Sequence, residues 1–157
     1  MKKKLPCTFW IGIAASAVML VLFVLELLPY WSYQGESVSI AGYVLRPYEH
    51  STFTTLFRSY FGKKYRITLM FGLPMFLNLA GNSAGAVLCA LRSSRSTSYL
   101  VPIACGGLGL YALLAGQPYQ LSSLWLPMVI LYAMELVLGI AGIILALTKS
   151  KRPLRGS

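Results

Sequence analysis

Four glutamates, one histidine and three cysteines make up the whole acid, imidazole and thiol complement of this chain, which has no aspartate. Glu135 is the most informative of them. It stands in a long apolar run, 13 residues from each end of the segment 122–148. If that segment crosses a bilayer, an unpaired charge there costs at least ~2.5–3.5 kcal/mol on insertion scales. Glu135 must therefore be protonated, paired or wetted. Asn78 and Asn82, four residues apart on one face of another apolar segment, lie at comparable depth, and Tyr132 precedes Glu135 by one helical turn. These four residues form the expected intramembrane polar site. The first reading is a protonated Glu135 hydrogen-bonded to an asparagine. A proton or cation relay, or contact with a substrate, is its functional rival.

Other chemistry is thinly supplied. Gly81-Asn82-Ser83-Ala84-Gly85 matches the G-x-S-x-G pattern of a hydrolase nucleophile, but that chemistry needs an exposed turn and a nearby base. Ser83 falls about 24 Å into a helix at 1.5 Å per residue, while the only histidine, His50, lies in a loop. The pattern reads as packing glycines. Cys7, Cys89 and Cys105 have no metal-binding or disulfide spacing. Cys7, beside the first apolar run, reads as an idle thiol ahead of an S-acylation site. No phosphate loop or dinucleotide fingerprint occurs. A non-enzymatic protein without cofactor or metal is expected. Glu26, three residues before Pro29, is expected to meet Lys63, Lys64 or Arg66 near the outer surface.

The elements that position these groups follow from hydropathy. The chain is 57% hydrophobic and 11% charged, and its mean hydropathy is +0.66, which excludes an ordinary water-soluble domain. A hydrocarbon core of about 30 Å needs about 20 apolar residues. Segments 8–28, 67–91, 98–116 and 122–148 meet that length. Their continuity excludes barrel strands, because only helices satisfy the backbone of such runs in lipid. The expected fold is an all-α membrane protein, a four-transmembrane-helix bundle with an N-terminal tail over 1–7, a structured first outer loop over 29–66 and a basic tail over 149–157. The first apolar run follows basic residues as a signal peptide would, but its length reads as a retained anchor.

The net charge is +10. Nine of the 14 basic residues flank the helices at the two tails and around Arg92 and Arg95, which predicts cytoplasmic termini in a cell membrane. These residues serve topology and anionic lipid, so nucleic acid is not an expected partner. In the outer loop, Arg46, Arg58, Lys63, Lys64 and Arg66 make a basic patch for the outer interface.

Within that loop, Ser37–Ile40 and Tyr43–Leu45 around Ala41-Gly42 predict a short hairpin. Phe53, Leu56, Phe57, Tyr60 and Phe61 predict an amphipathic helix, either lying in the interface or closing over the helices as a lid. Pro29, Tyr30, Trp31, Tyr33, Tyr119 and Trp125 read as headgroup anchors. Small residues mark the packing faces: Gly81 and Gly85 on the second span, Gly106 and Gly109 on the third, Gly139 and Gly142 on the fourth. The Gly81 and Gly85 face is also open to homo-oligomer contact. The four-span layout resembles that of claudins and tetraspanins in topology alone, since their outer-loop cysteines do not occur. The leading functional expectation is an accessory, assembly or interaction subunit that meets a membrane-protein partner or a second copy. The alternative is a small oligomeric transporter or channel using Glu135, Asn78 and Asn82.

Overall fold

The computed structural model describes residues 6–46, 49–61 and 72–150. The chain is mostly helical. Four helical stretches are long and apolar enough to cross a membrane: α1 (Cys7–Leu27), α4 (Leu73–Leu91), α5 (Leu100–Ala115) taken with the 3-10 turn that leads into it, and α6 (Trp125–Ser150). Between α1 and α4 lie β1 (Pro29–Tyr33), β2 (Glu36–Ser39), α2 (Ile40–Leu45) and α3 (Ser51–Phe61). Single 3-10 turns at Ser96–Tyr99 and Gln117–Leu121 lead into α5 and α6. The helix limits differ from the hydropathy segments by a few residues, and positions 67–71 of the second segment lie outside the described residues. Prolines set several ends. Pro29 follows the α1 C-cap, and Pro74 stands in the first turn of α4, where its missing N–H has no partner to lose.

Each long helix packs mainly on two others, α1 on α4, α4 on α5, α5 on α6 and α6 back on α1. Neighbours run antiparallel. Ser16 Oγ donates to Ala86 O at 2.8 Å, and Tyr99 Oη lies 2.9 Å from Thr8 O and 2.8 Å from Ser93 O, tying the start of α1 to the α4–α5 connection. The closest approach joins α5 and α6. A Cβ at Gly106 would lie 2.9 Å from Leu136 N and Tyr132 O, and one at Gly139 would lie 3.1 Å from Ile103 N. Gly81 faces Cys105, Gly85 faces Met19 and Val101, Gly109 faces the Tyr132 ring, and Gly142 faces the Tyr99 ring. All six glycines thus meet neighbours in the same chain. Leu20, Val21, Val87, Leu114, Ile130, Val137 and Ile144 point outward as an apolar perimeter.

The loop between α1 and α4 departs from its sequence reading. A hairpin forms, but one strand earlier: β1 pairs antiparallel with β2, Trp31 opposite Val38 and Tyr33 opposite Glu36, with a bulge at Tyr30. Gln34 and Gly35 make the turn, with φ of 50° and 83°. A two-residue loop with both φ positive matches the twist of the strands it joins, whereas Ala41-Gly42 offers no such turn. Residues 40–45 are helical instead because Ser39 caps them, its Oγ accepting from Gly42 N at 2.9 Å.

The aromatic anchors also need correction. Tyr30, Trp31 and Tyr119 are buried. Trp31 packs against Phe57 (ring centroids 5.1 Å apart) and Tyr119 (5.6 Å), and Tyr43 packs on Phe57 (5.0 Å). Tyr30 Oη donates to Tyr119 O at 2.8 Å. Trp125 is partly buried and donates through Nε1 to Leu113 O at 2.8 Å. Phe53 and Phe57 of the expected stripe are wholly buried, and Leu56 partly. The side chains of Tyr60 and Phe61 lie outside the description. This aromatic cap is continuous with the helix interior through Leu22, Met75, Leu113 and Met128. Of the two readings of α3, the packed lid is the one found.

Candidate functional site

Three polar side chains meet in the interior below the cap. The Tyr132 hydroxyl donates to Glu26 Oε1, and Asn82 Nδ2 donates to the same oxygen at 3.3 Å. All three residues are wholly buried. Glu26 is therefore an interior residue and not one at the outer surface. It is the penultimate residue of α1, which by counting along the helix places it near the surface. The cap folds directly over that end, however. Side chains lean toward the N-terminus of their own helix, so Glu26 leans back into the interior, while Asn82 and Tyr132 on antiparallel helices lean the other way to meet it. Lys63, Lys64 and Arg66 lie outside the described residues.

Glu135 sits one turn along α6 from Tyr132 and is also wholly buried. Its expected hydrogen bond to an asparagine is not formed, and neither of its oxygens has a partner among the described residues. Asn82 turns to Glu26 instead. Asn78 turns to α5: with its amide oriented to suit its surroundings, Nδ2 donates to Cys105 O at 3.2 Å and Oδ1 accepts from Gly109 N at 3.0 Å. It thus staples α4 to the backbone of α5. Of the four residues expected to form the polar site, Tyr132 and Asn82 share the Glu26 oxygen, Glu135 lies on the Tyr132 face, and Asn78 serves a helix contact.

Among the described residues, four buried oxygens of these side chains lack a hydrogen-bond partner: Glu26 Oε2, Asn82 Oδ1 and both of Glu135. Buried polar atoms are almost always paired, which makes these four exceptional. The sequence signal for Glu26 existed, since one of only four acids lay inside an apolar run. It was masked by the assumption that the helix end is the surface.

The remaining candidates stay apart. Ser83 is exposed on α4 and gives its hydroxyl to Ala80 O at 2.9 Å, an ordinary helix back-bond. His50 belongs to the loop before α3, where its carbonyl accepts from Thr54. Arg46 and Arg58 are exposed, and Arg46 pairs with Glu49 at 3.5 Å. Cys7 is exposed, whereas Cys89 and Cys105 are buried. Outside the membrane-length helices, burial raises the Tyr30, Tyr43 and Tyr119 hydroxyls above the ordinary phenol range. Comparison with protein-family models, curated proteins and solved structures returned no match.

Proposed function

We propose that this chain is a four-helix bundle of the cell membrane, with both termini cytoplasmic, whose interior carboxyls bind and exchange a proton, as in small ion-coupled transporters. The observation that carries this reading is the complete burial of two of the chain's four acids among the long apolar helices, with four oxygens there unpartnered among the described residues. Intramembrane acids are expensive and are typical of ion pathways and proton relays. A bundle that needed only cohesion would do better with apolar side chains there. Glu26, already accepting from Tyr132 and Asn82, is the ionised member. Glu135, which accepts nothing, holds the proton. The aromatic cap covers the outer side of the site, so exchange runs through movement of the cap or of the helices around it.

The test is proton movement in vesicles holding the purified protein and an internal pH dye. Flux above that of empty vesicles, lost in Glu26→Gln and in Glu135→Gln, supports the reading. Wild-type flux no greater than that of empty vesicles overturns it. A second reading, an assembly or accessory subunit, is favoured by the continuous packing of the cap into the helix core, which suits a rigid plug. Recovery of one stoichiometric membrane partner from mild detergent, together with silent vesicles, would select it.

A further inference from the structure

At the end of the molecule opposite the aromatic cap, where the start of α1 meets the end of α6, lies a cavity of about 180 Å³ walled by Pro6, Cys7, Thr8, Leu145, Thr148 and Lys149. We infer that this cavity binds a phosphate group, with an anionic phospholipid of the surrounding bilayer as its source. The inference holds whether or not the interior carboxyls move protons. Pro6 is the N-cap of α1, no side chain caps that end, and no acid stands in its first turn. The positive end of a 21-residue helix thus borders the cavity without a partner of its own, and such an end is a ready site for phosphate. Lys149, exposed in the last turn of α6, has no ion pair among the described residues. Glu26, Glu36, Glu49 and Glu135 all lie elsewhere, so no acidic side chain competes for this corner.

Thr8 gives the independent indication of a ligand. It stands on the cavity wall at 4% exposure, and its Oγ1 is buried without a hydrogen-bond partner among the described residues. A helical threonine ordinarily gives its hydroxyl to a carbonyl three or four residues earlier, as Thr148 on the α6 wall does to Leu145 O at 3.1 Å. Thr8 is only the second residue of α1, so the helix has no carbonyl there to receive it. Its backbone carbonyl is engaged separately by the Tyr99 hydroxyl at 2.9 Å, which fixes this turn of α1. One cavity therefore gathers a free hydroxyl, an ammonium group and the Cys7 and Thr8 N–H groups, which precede any intrahelical acceptor. All of them donate. An anion with several acceptor oxygens satisfies that set, and a cation does not. Pro6 and Leu145 give the same cavity an apolar side, which suits the glycerol and acyl portions of a lipid better than a fully hydrated ion.

Cys7, exposed on the same wall, reports occupancy in the unaltered full chain. The experiment is the rate at which an uncharged maleimide labels Cys7 of the purified protein in phosphatidylcholine bicelles, with phosphatidylglycerol, oleate or inorganic phosphate added at equal ionic strength. Oleate brings negative surface charge without a phosphate. At a tenfold excess over Kd, phosphatidylglycerol is expected to slow labelling about tenfold, while oleate leaves the rate nearly unchanged. Thr8→Val keeps the shape and charge of the wall and removes only the hydroxyl, and Lys149→Ala removes the ammonium group. Each is expected to weaken Kd about tenfold, which leaves about a twofold slowing at the same lipid content. Arg95→Ala takes an equal charge from the same end of the molecule outside the cavity and should keep the full slowing. An unaltered rate up to the highest phosphatidylglycerol content overturns the site. Equal slowing by oleate, or slowing undiminished in both Thr8→Val and Lys149→Ala, overturns it in favour of diffuse charge attraction. Slowing by inorganic phosphate and not by phosphatidylglycerol supports the phosphate site and overturns its lipid source.

Discussion

Removing the Tyr132 hydroxyl isolates the central hydrogen bond, because Tyr132→Phe keeps the ring that fills the space left by Gly109. A hydrogen bond to a charged group is worth about 1.5–3 kcal/mol in soluble proteins. Interhelical bonds in membranes average about 0.6 kcal/mol and reach about 1.7. Here the upper part of the membrane range applies. Both partners are wholly buried, and among the described residues the only other donor to Glu26 Oε1 is Asn82, at a long 3.3 Å. The expected loss is about 1.5 kcal/mol, a little over tenfold in the unfolding equilibrium, or roughly 3–6 °C in Tm. The assay is a double-mutant cycle with Glu26→Met, each variant melted in the same detergent. In the Glu26→Met background, Tyr132→Phe is expected to be close to neutral, because the acceptor is gone. An equal cost in both backgrounds would refute the assignment of Glu26 as the partner that Tyr132 serves.

Three further expectations follow from the same geometry. Gly106→Ala drives a Cβ into the backbone of Leu136 and Tyr132 and should cost about 1–3 kcal/mol by parting α5 from α6; Gly107→Ala, with open space around it, should be neutral or slightly stabilising, and equal melting of the two variants would contradict the packing. In native detergent a maleimide should label Cys7 alone, and all three thiols only after denaturation, with mass spectrometry as the readout; fast native labelling at Cys105 would contradict its burial. Because burial raises the Tyr30, Tyr43 and Tyr119 hydroxyls in the folded state, the native protein keeps protons that the unfolded chain releases above about pH 10. Stability is full below that pH and falls as pH rises beyond it. Tyr43→Phe should flatten this alkaline decline in Tm, and an unchanged slope would count against the buried cap.

Four apolar runs of spanning length, the glycine positions on their faces, the amphipathic pattern of α3 and the exceptional character of Glu135 were all legible in the order of residues. Hydropathy and helical period are local properties, and at these positions nothing overrides them. Tertiary structure decided which polar groups meet. Glu26 was misread because depth was counted from the end of α1, and only the folding of β1, α3 and the Gln117–Leu121 turn over that end makes it interior. Asn78 and Asn82 share a spacing that permits either to face Glu135. Because α1 and α5 both pack on α4, Asn82 meets Glu26 and Asn78 meets the α5 backbone. Hydrogen bonds between residues 56 and 106 positions apart carry no local signature. They depend on how whole helices pack, and that is settled by the sum of many small contacts spread along every span.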